Sequence, residues 1–262
     1  MILAADNLQI THPELAKALD EMNPAPIQSL VKNCITAGAQ MIDINSGPLT
    51  REPERKMRFL VETVQSVTDV PLLLDTANPR ALAAGLATAI HPPIINGFSM
   101  EPVKLEKILP LAKKYDTDII GYLLYPHGQV PRGEVERMEI AVALFEAVQK
   151  VSLCPDRLII DPIIAPVLWE NGTLQDAGIL NVIRRLPDLL GYPVRTIAGV
   201  SNLTTGRGNY EKKLLLEQAY LPMLAASGLS VALLNIFHAK TVQVAKACNA
   251  LLNDPIFTWE GI

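Results

Sequence analysis

Most of the short apolar runs in this chain end on an amide or a carboxylate. In order they are Ile2-Leu3-Ala4-Ala5-Asp6, Met41-Ile42-Asp43-Ile44-Asn45, Leu72-Leu73-Leu74-Asp75, Ile94-Ile95-Asn96, Asp118-Ile119-Ile120-Gly121-Tyr122, Leu158-Ile159-Ile160-Asp161, Arg195-Thr196-Ile197-Ala198-Gly199-Val200-Ser201-Asn202 and Val231-Ala232-Leu233-Leu234-Asn235. Apolar runs without strict alternation are strands buried on both faces, as in a parallel sheet with helical crossovers. Between them the period lengthens to that of a helix. Residues 133–152 place Met138, Ala141, Val142, Phe145 and Val148 on one face, and 101–114 do the same with Val103, Ile108, Leu109 and Leu111. Asn23-Pro24 and Asn78-Pro79 read as an N-cap followed by proline at N1, and Thr11-His12-Pro13-Glu14 has capping-box spacing. Eight strand–helix units in 262 residues, with no Gly/Ser linker, predict one α/β domain over 1–262, a single (β/α)8 TIM barrel. The long irregular stretches 124–132 and 163–172 both follow strands, which puts them on the face where barrel ligands bind.

Composition narrows the setting. A net charge of −4 leaves no basic footprint for nucleic acid or anionic lipid. Cys34, Cys154 and Cys248 lie far apart, without CxxC or Cys/His spacing; an odd count favours a reducing compartment. The N-terminus enters a strand directly, without a basic n-region, and no uninterrupted apolar stretch is long enough to span a bilayer. These features predict a cytoplasmic protein with no membrane partner. No GxGxxG or P-loop follows the first strand, which argues against a nucleotide site.

Barrel geometry would bring Asp6, Asp43, Asn45, Asp75, Asn96, Asp161 and Asn202 around one mouth. Any one of them could simply cap the next helix, and Asn78, followed by Pro79, is read that way. Several carboxylates in one cavity, however, are costly unless a ligand or partner satisfies them. Histidine is scarce and poorly placed for a metal: His12 and His91 precede prolines, His127 is in a loop and only His238 follows a strand. The alternative is a flat heterocycle with N–H donors along one edge, which carboxylates and amide oxygens accept well; a reduced pterin fits.

The segments 41–48 (Met-Ile-Asp-Ile-Asn-Ser-Gly-Pro) and 74–78 (Leu-Asp-Thr-Ala-Asn), with Ile95-Asn96, Ile160-Asp161-Pro162 and Gly199-Val200-Ser201-Asn202, resemble the pterin-binding barrel proteins. Within these the chain is most similar to the methyltetrahydrofolate:corrinoid methyltransferases, a family that includes the methyltransferase partner of the corrinoid iron–sulfur protein and the folate domain of cobalamin-dependent methionine synthase. The similarity runs in order over almost the whole chain. It implies that Asp75, Asn96 and Asp161 hold the pterin edge, that Asn202 reaches N5, and that Asp43 and Asn45 line the same mouth. Ser201 would help place the Asn202 loop. Arg207 falls where the family has a basic residue near the folate tail, with a solvated loop arginine as the alternative.

The activity implied is methyl transfer between N5 of tetrahydrofolate and the cobalt of a corrinoid (cobalamin) supplied by a partner corrinoid protein, by a homodimeric enzyme. Tetrahydrofolate and 5-methyltetrahydrofolate would be substrates, and transfer from methylcorrinoid to tetrahydrofolate, as in demethylation pathways, is one of the two directions. Asn202 would act as donor at N5, with the proton drawn from a network ending on Asp43, Asp75 or Asp161. One departure stands at the first strand, where many members carry Gly-Glu-Arg-Ile-Asn and this chain has Ala5-Asp6-Asn7-Leu8-Gln9, keeping an acid but no arginine. A dihydropteroate synthase shares the fold, but its Asn-x-Thr-x-Asp-Ser-Phe loop and late Ser-Arg-Lys stretch are not found. A folate-binding barrel without turnover is the non-enzymatic alternative.

Overall fold

A computed structural model describes residues 1–252; residues 253–262 of the domain expected over 1–262 lie outside the described residues. Eight parallel strands pair in sequence order and β1 closes on β8. The strands are β1 Ile2–Gln9, β2 Met41–Asn45, β3 Leu72–Asp75, β4 Ile94–Phe98, β5 Ile119–Tyr122, β6 Leu158–Asp161, β7 Arg195–Gly199 and β8 Val231–Leu234. Ten α-helices surround them among the described residues: α1 Pro13–Asp20, α2 Pro24–Thr36, α3 Pro53–Gln65, α4 Pro79–Thr88, α5 Pro102–Lys107, α6 Leu109–Tyr115, α7 Glu134–Lys150, α8 Gly172–Leu190, α9 Tyr210–Ala226 and α10 Ala239–Leu252. This is the (β/α)8 barrel expected from the pattern of apolar runs. None of these helices is long and apolar enough to cross a membrane.

The alternation along each strand separates two cores and creates the site. Ala4, Met41, Leu73, Ile94, Ile120, Ile159, Ile197 and Val231, one from each strand, pack together inside the barrel. Their neighbours Leu3, Ala5, Ile42, Leu72, Leu74, Ile95, Ile119, Leu158 and Ile160 belong instead to the core under the helices. Side chains two positions apart share a face of a strand. Asp43, Asp75, Asn96, Tyr122 and Asp161 each stand two residues beyond a member of the inner plug, so they form a polar layer directly above it.

Proline placement explains several helix starts. It occupies the first position of α1 to α5, where its missing N–H costs nothing. Asn23 accepts from the Ala25 amide, and Asn78 from those of Arg80 and Ala81, so both predicted caps form.

Four local expectations are corrected. The capping box at Thr11 does not form: His12 is the N-cap, without a side-chain bond, because Pro13 sets the first helical position. Residues 101–114 are two short helices broken at Ile108, since Pro110 has no N–H to continue the ladder and its ring would crowd the turn before it. In α7 the fully buried positions are Arg137, Ile140, Ala141, Leu144 and Val148, while Met138, Val142 and Phe145 are half-buried, so the stripe is rotated toward an arginine. The first strand runs on to Gln9 and carries a bulge. Ala5 pairs with Ile42 and Leu8 with Ile44, so β1 fits one more residue than β2 into the interval. Cys34 and Cys248 are buried free thiols and Cys154 is exposed.

Candidate active site

The strand register lines up the polar layer. Asn45 pairs with Asp75 across β2–β3, Asp75 with Asn96 across β3–β4, and Tyr122 with Asp161 across β5–β6. Hydrogen bonds then tie the layer together. Asn96 donates from Nδ2 to Asp43 Oδ1 at 3.0 Å, and its Oδ1 accepts the Tyr122 hydroxyl at 2.6 Å. Asn45 donates to Asp75 Oδ2 at 2.8 Å and accepts the Gly47 amide at 3.3 Å. The Asp161 carboxylate accepts the Ile163 amide at 2.8 Å, closing a side-chain turn across Pro162. Asp75 and Asp161 thus each have one oxygen held by the protein, and among the described residues no protein donor reaches the other.

Burial dominates the electrostatics. Asp43 is 2 % exposed, and its pKa is pushed well above the usual carboxylate range by desolvation and then by Asp75, against the Asn96 hydrogen bond. Desolvation raises Asp161 to about 7 despite the Ile163 amide. Asp75 rises to about 6 for the same reason, opposed by the charge of Lys104. Tyr122 is held well above its ordinary range by burial and the three surrounding carboxylates, and so stays a hydroxyl donor. No lysine or arginine among the described residues forms an ion pair with Asp6, Asp43, Asp75 or Asp161 within 4.0 Å. The layer therefore stores protons and offers acceptors, with no cation inside it to satisfy them. Among the described residues no group of three or more His, Cys, Asp or Glu is placed to hold a metal ion.

The β7 end is built differently. Strand β7 stops at Gly199, and Asn202 lies half-buried in a 3-10 turn over Val200–Thr204. A Cβ on Gly199 would stand 3.1 Å from Asn202 Nδ2, so a bare backbone there leaves the amide its room. Ser201, exposed, reaches Asp6 Oδ2 with its hydroxyl at 3.5 Å and links this turn to β1. Asp6 is pushed up to about 6, by burial first, with the Ser201 contact opposing. Arg207 is exposed on the loop before α9.

Three residues of this face had no role in the sequence reading. Tyr122 locks the amide of Asn96; its inward parity with Ile120 was visible, but an aromatic strand end reads equally as core. Lys104, near the start of α5, sits 5.6 Å from the centroid of the Tyr122 ring and pairs with Glu101 at 3.5 Å, and its charge acts on Asp75. Asn7, in the β1 bulge, donates to Asn235 Oδ1 at 2.7 Å and accepts the Ile236 amide at 3.0 Å, latching β1 to the end of β8. The departure at the first strand is therefore the segment that closes the barrel mouth.

A parallel barrel whose C-terminal mouth carries buried acceptors, a half-buried tyrosine and carboxyl groups with raised pKa has the form of a ligand-binding site. Comparison with known proteins gives the family. The model described as "Pterin binding enzyme" matches residues 16–235, and the chain belongs to that family. A curated relative, the methylcorrinoid:tetrahydrofolate methyltransferase of Eubacterium limosum, is 24% identical over 257 residues, covering 97% of this chain and 92% of the relative. Among solved structures, the dihydropteroate synthase of Xanthomonas albilineans in complex with 7,8-dihydropteroate superposes with a TM-score of 0.69 at 20% identity, covering 97% of this chain and 94% of that one. The dihydropteroate synthase of Stenotrophomonas maltophilia gives 0.72 at 17% identity, with the same coverage. At these identities the structural likeness is one of fold.

Proposed function

We propose that this protein moves a methyl group between N5 of tetrahydrofolate and the cobalt of a corrinoid carried by a partner protein. The observation that carries the reading is the layer Asp43, Asp75, Asn96, Tyr122 and Asp161, in which Asp75 and Asp161 each keep one oxygen that no donor among the described residues reaches. Near-full-length similarity to a methylcorrinoid:tetrahydrofolate methyltransferase supports the choice of methyl transfer over pterin condensation. Methylcorrinoid to tetrahydrofolate is the direction in that relative's name, and it is the direction proposed here.

In this reading the free oxygens of Asp75 and Asp161 accept N–H groups of the pterin edge. Asn96, its amide fixed by Tyr122 and Asp43, adds a second donor hydrogen and orients the ring. Asn202 approaches N5 from the β7 turn. When methyl leaves N5, in the reverse direction, the electron pair left on the nitrogen is stabilised by a donor whose contact strengthens in the transition state. Asn202 cannot itself exchange a proton, so in the direction proposed the acidic layer, with Asp161 at about 7, takes up the proton that N5 gives up on methylation, and it returns that proton in the reverse direction. The corrinoid, as co-substrate, supplies a cobalt centre able to give or take the methyl group.

The test is absorption spectroscopy of free cobalamin mixed with the protein and 5-methyltetrahydrofolate or tetrahydrofolate. Protein-dependent interconversion of cob(I)alamin and methylcobalamin is expected. Folate binding without transfer in either direction would leave a non-catalytic barrel, and condensation of a pterin pyrophosphate with 4-aminobenzoate would make it a synthase.

A further inference from the structure

Behind the β6 end of the mouth lies a buried polar cluster with no part in the chemistry described so far. Arg137, on α7, is fully buried at 0 % exposure. Its Nε donates to the Pro162 carbonyl at 3.2 Å, while Nη1 and Nη2 have no partner among the described residues. Asp176, on α8 and also buried, accepts the Ala165 amide on Oδ1 at 3.0 Å; its Oδ2 has no partner among the described residues, and its own carbonyl accepts the Tyr220 hydroxyl at 2.7 Å. Burial pulls the Arg137 pKa down and the Asp176 carboxylate pulls it back up, so the two charges attract each other.

The backbone they grip is the one that carries Asp161. Pro162 follows Asp161 directly, and Ile163 takes φ 59°, a left-handed conformation that a β-branched residue rarely adopts. Three tethers hold this stretch: Arg137 at Pro162, the Asp161 carboxylate at the Ile163 amide, and Asp176 at Ala165. Strained residues persist only where their surroundings over-determine them, and they cluster where a side chain must be aimed. A buried guanidinium with two idle nitrogens is an expensive way to secure a loop that a leucine could pack against. A role in aiming Asp161 accounts for its presence.

We propose that Arg137 and Asp176 are positioning residues: a strut between α7 and α8 that holds Pro162 and Ala165 on either side of the left-handed Ile163 and so fixes the direction in which Asp161 presents its free oxygen to the pterin. The proposal rests on the pterin reading of Asp161. Neither residue touches the ligand, and both act through the 161–165 backbone.

The experiment is a double-mutant cycle read by tetrahydrofolate affinity, with thermal melts run alongside. Asp176→Asn keeps shape and volume, and Arg137→Met keeps length without the fork. Each is expected to weaken tetrahydrofolate binding about 10-fold, well below its own melting temperature, because Arg137→Met loses the bond to Pro162 and Asp176→Asn replaces the charged acceptor of the Ala165 amide with a weaker neutral one. In an Asp161→Asn background the same substitutions should change affinity by less than about twofold, since the group they aim is altered. Arg137→Lys, which keeps the charge but not the bond to Pro162, should not restore affinity. Should Arg137→Met fail to fold, Asp176→Asn carries the cycle. Wild-type affinity in a folded Asp176→Asn protein, or an equal loss with and without the Asp161 carboxylate, would overturn the strut and leave a purely structural polar cluster. A wild-type protein that binds no tetrahydrofolate would instead overturn the pterin reading, and the strut's role with it.

Discussion

Asn96 donates to Asp43 across the barrel interior at 3.0 Å, joining the fourth strand to the second under the floor of the mouth. Burial and the neighbouring Asp75 raise the pKa of that carboxyl, and the bond from Asn96 works against them. The amide of Asn96 cannot flip without losing both this bond and the one from Tyr122. The donor–acceptor pattern offered to a ligand is thus set from below, before anything binds.

Tyr122→Phe should expose how much that setting matters. The substitution keeps the ring and leaves Asn96 Oδ1 without its donor. A buried acceptor left unpaired costs about 1–3 kcal/mol. A lower melting temperature together with roughly 10-fold weaker tetrahydrofolate binding is expected. Equal affinity in the two proteins, measured by titration calorimetry, would show that the Asn96 amide needs no lock.

Gly97→Ala tests the backbone next to it. A Cβ at this position would run into the carbonyl of Ile120 on the neighbouring strand, where β4 and β5 shift register between Asn96 and Phe98. Overpacking of this kind typically costs about 1–3 kcal/mol. Since backbone rather than a flexible side chain must give way, Asn96 should move with it. Loss of stability and of pterin affinity together is the expected result, whereas a melting temperature within 1–2 °C of wild type, about the resolution of such shifts, would mean that the sheet yields easily.

The strand ends were legible because a parallel barrel enforces a simple rule: apolar within, polar at the mouth. Asp43, Asp75, Asn96 and Asp161 obey it, and each sits two residues after a plug residue. Asn78 and Asn23 were legible as caps because the prolines after them fix the helix start. Arg137 was not. On a helical wheel it falls beside Ala141 and Val148 on the apolar stripe, but an arginine there reads as a solvated side chain, and what receives it, the Pro162 carbonyl 25 positions away and the charge of Asp176 on α8, comes from other elements. The bulge at Asn7 escaped for a related reason, since its partner Asn235 lies 228 residues along the chain. The break at Ile108 could have been read from Pro110, and the apolar period hid it.

Asn202→Ala addresses the chemistry separately from binding. If the amide contacts N5 mainly as charge develops, its loss should lower methyl transfer by about 10–1,000-fold, as for removal of one transition-state donor. Tetrahydrofolate affinity should change much less, because the ring is held by Asp75, Asn96 and Asp161. Stopped-flow spectroscopy of cob(I)alamin under saturating methyltetrahydrofolate separates the two effects. Unchanged turnover would remove Asn202 from the mechanism.

The acidic layer makes folding and binding respond to pH in opposite directions. Asp6 and Asp75 titrate near 6 and Asp161 near 7, all above the 3.8 of an unperturbed aspartate, and Asp43 is raised as well. A carboxyl whose folded pKa is raised binds more protons folded than unfolded. Its contribution to stability is complete below about pH 3.8 and is lost as the pH climbs through the folded value. For Asp161, 9 % exposed, that contribution is at most about 4 kcal/mol, at roughly 1.4 kcal/mol per pKa unit. Asp20 and Glu54, with lowered pKa, titrate below this range and do not oppose the trend within it. The ligand-free protein should therefore melt at progressively lower temperature from pH 5 to pH 8. Binding runs the other way, because a protonated Asp161 is a poorer acceptor for a pterin N–H: affinity for tetrahydrofolate should rise with pH and level off above about 7. Asp161→Asn should flatten both curves. A melting temperature that climbs between pH 5 and 8, or an Asp161→Asn protein with the wild-type slopes, would mean that the buried layer is not what titrates.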